Sequence, residues 1–287
     1  MFIGKIILKL VPFSVYHKIR SLYRNLRKFL HKPLSEPEFE VLLKERMQVK
    51  PGDVLFIHSS VDKLNITFSP HKMLKILLKV VGPEGTLLFP AWHFRQRAEE
   101  YLQKQPFFDV RRSPSVLGML SELARRYPEA KRSIHPTSSI VAIGPKAEYL
   151  LLSHHLSEYP CGELSPFYRM MEFDAKIIGL GVKTEFLSFV HCPEDILKSN
   201  FPYPVRTTEV YKAKVRDYEG NLLEVDTLAA NKAIGNRDIP GFIRKYIPPI
   251  VAEDFTFRGN DFFRVDSAGL FREIKDLALK GKTIYNV

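Results

Sequence analysis

The chain has 287 residues, 45% of them hydrophobic and 26% charged, which is enough to bury a substantial core in one large domain or two small ones. No run of 18 apolar residues occurs, which excludes an apolar spanning helix, and Cys161 and Cys192 are the only cysteines, too few for a disulfide framework. Of the formal charge of +11, residues 1–32 carry +8 with no acid, so the excess is a local arm and not a nucleic-acid-binding surface spread over the body.

The arm contains Lys5, Lys9, Lys18, Arg20, Arg24, Arg27, Lys28 and Lys32. Lys9 interrupts its apolar start and no small-residue cleavage site follows, so it is not read as a secretory signal. Ile19, Leu22, Leu26, Phe29 and Leu30 recur at helical spacing opposite the arginines. A basic amphipathic helix of this kind either lies on an anionic membrane surface or packs on its own domain or a partner. Pro33 to Pro37 close it, and residues 33–287 are read as a single domain in a cytoplasmic protein, with the arm peripheral at the inner face of the membrane. A homo-oligomer is compatible with this organisation.

A helical pattern covers Glu38 to Lys44. After the turn Pro51-Gly52-Asp53, the short apolar run Val54 to Ile57 reads as a buried strand ending in His58-Ser59-Ser60. Ser69-Pro70 opens a helix with a cap and a first-turn proline, and Gly82-Pro83-Glu84-Gly85 ends it before the strand Thr86 to Pro90. Strand–helix–strand predicts a parallel unit. Ser115 to Tyr127 is predicted helical, Ser139–Ile143 and Lys176–Leu180 are further strands, and two strands flank the turn at Glu219-Gly220. Asp266 to Leu279 is predicted as a closing helix. The fold class is therefore α/β: a mostly parallel central sheet flanked by helices, with an antiparallel or mixed C-terminal elaboration.

Polar residues at strand ends are the candidates for chemistry, because ligands of open α/β sheets gather there. His58, Ser59 and Ser60 offer hydroxyls and amides to a phosphate or carbonyl oxygen, or His58 is simply a structural residue. Trp92 follows the second strand. Arg111, Arg112 and Ser113 precede a predicted helix, a setting that favours an anion, although a solvated basic loop reads the same way. His135 lies in Ile134-His135-Pro136-Thr137-Ser138-Ser139, and Glu163 in a turn-rich stretch from Tyr159 to Phe167. His191 and Glu194, three apart beyond the strand at Lys176–Leu180, share a face if helix begins there. A carboxylate against an imidazole fixes its tautomer and prepares a general base; the alternative is a buried histidine satisfied by a neighbour. Cys192 points away from its neighbours in any regular element, His154-His155 reads as a solvated pair, and no histidine spacing suits a metal site.

Six ordered segments resemble the aminoglycoside 3-N-acetyltransferase family over residues of about 36 to 200. They are Asp53 to Ser60, Val81 to Leu87, Arg112-Ser113-Pro114-Ser115 with Gly118, His135 to Ser139, Gly162-Glu163-Leu164-Ser165-Pro166, and Ile178 to Val182. The family's Thr-Ser-Leu-His-x-x-Glu stretch corresponds to Ser188-Phe189-Val190-His191-Cys192-Pro193-Glu194, with its hydroxyl and leucine before the histidine replaced by Phe189 and Val190. The resemblance implies an acetyl-CoA donor, an amine acceptor, His191 as general base oriented by Glu194, Thr184 or Ser188 at the oxyanion, and His135 and Glu163 in acceptor-side loops. A slightly basic body suits an anionic acceptor, so the expected substrate is an amino sugar, nucleotide- or lipid-linked, in polysaccharide synthesis. The alternatives are an aminoglycoside, O-acylation of a sugar, or a non-catalytic protein retaining the fold.

Overall fold

In the computed structural model, residues 22, 26, 29–232, 234 and 237–285 are described. Most of the basic arm lies outside them; Leu22, Leu26, Phe29 and Leu30, which belong to it, are exposed. Among the described residues no helix is long and apolar enough to cross a membrane.

The elements in chain order are α1 (Glu36–Val41), β1 (Val54–Ser59), α2 (Pro70–Val81), β2 (Thr86–Pro90), α3 (Ala98–Leu102), β3 (Phe107–Asp109) and α4 (Met119–Arg125). Then come β4 (Lys131–Arg132), β5 (Ile140–Ile143), α5 (Ala147–Leu151), α6 (Pro166–Arg169), β6 (Lys176–Leu180) and α7 (His191–Leu197). The last third holds β7 (Arg206–Arg216), β8 (Leu222–Ala230), α8 (Ile239–Tyr246), β9 (Ala252–Phe257), β10 (Asn260–Asp266) and α9 (Ser267–Ala278).

A seven-stranded sheet runs β4-β5-β2-β1-β6-β10-β9. Its centre, β2-β1-β6, is parallel, and each outer strand joins antiparallel. β1 explains why its sequence is apolar without alternation: Leu55 and Ile57 face a layer holding Met73, Leu77, Leu120 and Ala124 of α2 and α4. Val54 and Phe56 face the opposite layer, with Leu150, Phe167, Phe242 and Leu270. A strand covered on both faces needs apolar residues at every position. Helix α2 starts as its sequence predicts, with Ser69 Oγ accepting from the Lys72 amide at 3.2 Å and Pro70 in the first turn. A second sheet, β3-β7-β8, pairs β7 and β8 as an antiparallel hairpin, with β3 parallel to β7.

Two departures bear on the site. The helix predicted from Ser115 begins only at Met119, with Gly118 at φ 103° as its cap. Residues 115–117 instead run along Trp92, whose carbonyl accepts from the Val116 amide at 3.1 Å. The predicted closing helix is preceded by an unpredicted hairpin, β9–β10, which adds to the edge of β6.

Candidate active site

The parallel strands β2, β1 and β6 end at Pro90, Ser59 and Leu180, and the chain leaving each end builds a cleft. Gly181 makes the exit from β6: its φ is 75°, and a Cβ there would sit 2.5 Å from the Ser60 carbonyl oxygen. Gly179, opposite His58 in the β1–β6 register, leaves room for the Phe263 ring, which a Cβ would meet at 2.2 Å. Phe56 and Phe263 then hold the His58 ring, with centroids 4.8 and 5.9 Å away.

The main cleft encloses about 630 Å³. Its lining includes Trp92, Phe94, Ser188, His191, Glu194, Arg206, Arg237 and Tyr285. A lobe of about 350 Å³ adjoins it, lined by His58, Ser59, Ser60, Lys63 and Gly118, and Trp92 and Phe186 belong to both. Ser188 Oγ lies 3.5 Å from His58 Nε2 where the two meet.

His191 is the first residue of α7, so Glu194 stands one turn on, on the same face. His191 Nδ1 and Glu194 Oε2 are 2.6 Å apart, and His191 Nε2 is 2.7 Å from an Arg237 guanidinium nitrogen. A carboxylate only accepts and a guanidinium only donates, so the proton sits on Nδ1 and Nε2 carries the lone pair. Glu194 is 2% exposed, and its other oxygen accepts from the Tyr285 hydroxyl at 2.9 Å. Burial and the adjacent Glu194 push the Tyr285 phenol well above its ordinary value, which keeps it a donor. Next to Glu194, fully buried Asp195 accepts from Nε and Nη2 of Arg206, at 2.6 and 2.7 Å, and from the Cys161 amide at 2.8 Å. Burial works against the Arg206 cation, but Asp195 outweighs it and the net shift is upward. This pair ties α7 to β7 and to the loop before α6.

Tyr285→Phe is expected to leave one Glu194 oxygen buried without a donor, at a cost of about 1–3 kcal/mol. Urea unfolding measures that loss. Steady-state kinetics should show kcat falling more than KM rises, the expectation for a buried carboxylate that acts through His191. An unchanged unfolding midpoint with unchanged kcat would show that Tyr285 does not support the carboxylate.

Several residues singled out in the sequence sit elsewhere. Thr184 is fully buried and gives its amide and hydroxyl to Asp254, at 2.8 and 2.9 Å, so it anchors the turn after β6 to β9 and has no donor left for an oxyanion. Arg111 and Arg112 precede no helix start: their amides bond Asp109 Oδ1, Ser113 Oγ accepts from the Asp109 amide, and neither arginine lines the cleft or its lobe. His135 is fully buried and stacked on His154 at 4.4 Å, and the cleft is reached from that segment by Thr137 and Ser138. Glu163 is exposed outside the cleft, which its loop reaches through Cys161 and Phe167. His154 is not solvated: it is fully buried, bonded to Ser133 Oγ and the Pro160 carbonyl. Cys192 is fully buried and burial raises its thiol well above the ordinary value, which leaves it inert as a nucleophile. His191, Glu194, Ser188, Trp92, His58, Ser59 and Ser60 do converge. Tyr285 and Arg237 carry no sequence motif and come from remote segments, and the Asp195–Arg206 pair, 11 residues apart, carries no motif either.

The family model for aminoglycoside 3-N-acetyltransferase matches residues 56–243. Aminoglycoside N(3)-acetyltransferase IV of Salmonella sp is 32% identical over 183 residues, covering 63% of this chain and 64% of that one. Aminoglycoside N(3)-acetyltransferase III, also of Salmonella sp, is 28% identical over 198 residues, covering 62% and 69%. The alignment thus spans slightly less than two thirds of the type IV enzyme. Among solved structures, that of AAC-IIIb in a binary complex with CoASH shares the fold at a TM-score of 0.71 and 21% identity, over 88% of this chain and 98% of that one. With the family model matched over well more than half of its length, this chain belongs to the aminoglycoside 3-N-acetyltransferase family.

Proposed function

We propose that this protein transfers the acetyl group of acetyl-CoA to an amine of an aminoglycoside or related amino sugar, with His191 as general base. The observation that carries this reading is the chain Tyr285–Glu194–His191, which leaves Nε2 as the lone-pair nitrogen on the wall of a cleft large enough for a sugar and joined to a second lobe, with Arg237 against it. That lobe, with His58, Ser59, Ser60 and Lys63, is assigned to the donor. The solved relative's complex with CoASH supports the cofactor class.

In the reaction the neutral amine attacks the thioester carbonyl carbon, forming the C–N bond while Nε2 takes the amine proton. Glu194 steadies the imidazolium. Ser188, in the cleft lining, is the proposed donor to the oxyanion, where one good donor contributes about 3–4 kcal/mol. Collapse breaks the C–S bond, and the proton held on Nε2 neutralises the departing thiolate. Holding both substrates in one cleft supplies much of the remaining rate gain.

The similar enzymes are named for aminoglycosides, which favours that acceptor class. Their names give no support to the expected link to polysaccharide synthesis. An anionic amino sugar stays as a second reading because Arg97 and Arg237 line the cleft. Thiol release from acetyl-CoA should be measured with kanamycin-type aminoglycosides, free amino sugars and phosphorylated amino sugars. Turnover of any amine to an amide supports the reading; no turnover, or an ester product, overturns it.

The arm is proposed to rest on anionic membrane, supported by its +8 charge and the exposed Leu22, Leu26, Phe29 and Leu30. The protein should co-sediment with anionic vesicles but not with neutral ones, and release should follow as salt shortens the screening length. Equal binding to neutral vesicles, or none to either, would refute it.

A further inference from the structure

The base of this site is occupied. Nε2 of His191, the atom that must take the amine proton, lies 2.7 Å from the Arg237 guanidinium. No proton can reach that lone pair until Arg237 withdraws, and an imidazolium at His191 would face it N–H to N–H. The cleft offers the displaced guanidinium few partners. Glu194 is 2% exposed and has both oxygens engaged, by His191 and Tyr285. Asp195 is closed by Nε and Nη2 of Arg206 and by an amide. Glu185 is the other carboxylate in the lining, and Arg97 adds a further cation at the rim. A guanidinium is built to grip phosphate or carboxylate with two parallel N–H groups.

We propose that Arg237 is a specificity-determining residue that stoppers the base in the free protein and is drawn off it by a phosphate or carboxylate on the acceptor, close to the reacting amine. The inference rests on the acetyltransferase reading above and, between its two acceptors, takes the anionic amino sugar over the aminoglycoside. A polycationic acceptor brings no group to move Arg237, whereas an anionic amino sugar both releases the base and takes a charge-assisted bond in exchange.

The test compares glucosamine 6-phosphate, glucosamine and a kanamycin-type aminoglycoside as acceptors, in wild type, Arg237→Ala, Arg237→Lys and His191→Gln. Wild type should favour the phosphorylated sugar over glucosamine, and Arg237→Ala should cut that kcat/KM ratio about tenfold or more, as loss of one charged hydrogen bond implies. Arg237→Lys should restore part of the ratio. Equal losses on all acceptors would mean a structural role, and a wild-type preference for the polycation would overturn the proposal. A ratio that stays fixed while the variant loses acetyl-CoA more than acetyl-pantetheine would assign the anion to the donor and likewise overturn it. Independently of turnover, the ¹⁵N resonance of His191 Nε2, identified by its absence in His191→Gln, should shift in ligand-free Arg237→Ala and, in wild type, on addition of glucosamine 6-phosphate. An unmoved resonance in both cases shows that no stopper exists. Turnover retained by His191→Gln removes the base assignment itself, whereas an inactive His191→Gln with an unmoved ratio removes only the role of Arg237.

Discussion

His191→Ala is expected to lower kcat/KM for acetyl transfer by about a hundred- to ten-thousandfold, the range a positioned general base contributes. The ring does no large share of core packing, since 22% of it is exposed to the cleft, so the variant should fold. Its removal leaves the His58–Ser60 lobe intact, and calorimetry should show CoA binding largely retained. Added imidazole should restore part of the rate by entering the vacated space beside Glu194. Retention of more than about a tenth of the activity would place the proton transfer elsewhere. The same variant separates this reading from a non-catalytic protein that kept the fold, in which no acyl transfer would be lost.

The second large effect is on stability in mild acid. His58, His135 and His154 are buried within the fold. Burial brings His58 and His154 down to about 3 and holds His135 well below its ordinary value. An unfolded histidine titrates near ~6.5. As pH falls through that value the unfolded chain takes up protons that the folded chain refuses, so stability is complete above it and drains away below it. Each ring then contributes a loss of about 1 kcal/mol per pH unit, and the three together about 3–4. Urea midpoints followed by circular dichroism from neutral pH to pH ~5 should fall steeply, with at least the three protons of these rings bound on unfolding and a further one from His93, which burial brings down to about 4. A flat profile would mean that the rings are charged in the native state. His135, which the family resemblance suggested as a substrate-side residue, instead enters this balance as a neutral buried ring.

What the sequence discloses and what it hides follow from the range of the interactions. Strands β1, β2 and β6 and helix α2 were readable because their signals are local: an apolar run of strand length, Ser69-Pro70 at a helix start, glycines at the exits. The dyad was readable because His191 and Glu194 are one turn apart. The hydroxyl of Thr184 looked available because nothing near it in sequence reveals Asp254, 70 residues on. Arg111 and Arg112 looked like a helix-start anion site because Gly118, which delays the helix, acts through its backbone angle. Tyr285 meets Glu194 from 91 residues away, and Arg237 meets His191 from 46. No periodicity or motif encodes such pairs, so the contacts of Tyr285 with Glu194 and of Arg237 with His191 appear only in three dimensions.

The β9–β10 hairpin carries a practical consequence for anyone dividing this chain. Residues 56–243, the part matched by the family model, end before β9 begins. Expressed alone, that fragment would turn β6 into an edge strand with Ile177, Ile178 and Leu180 uncovered on one side, an open template for another molecule. It would also lose Asp254, so the turn leading to His191 would hang unmoored. Such a fragment should be recovered as aggregate, even though it contains His191, Glu194 and, apart from Asp53, Val54 and Leu55, every segment in which the family resemblance lies.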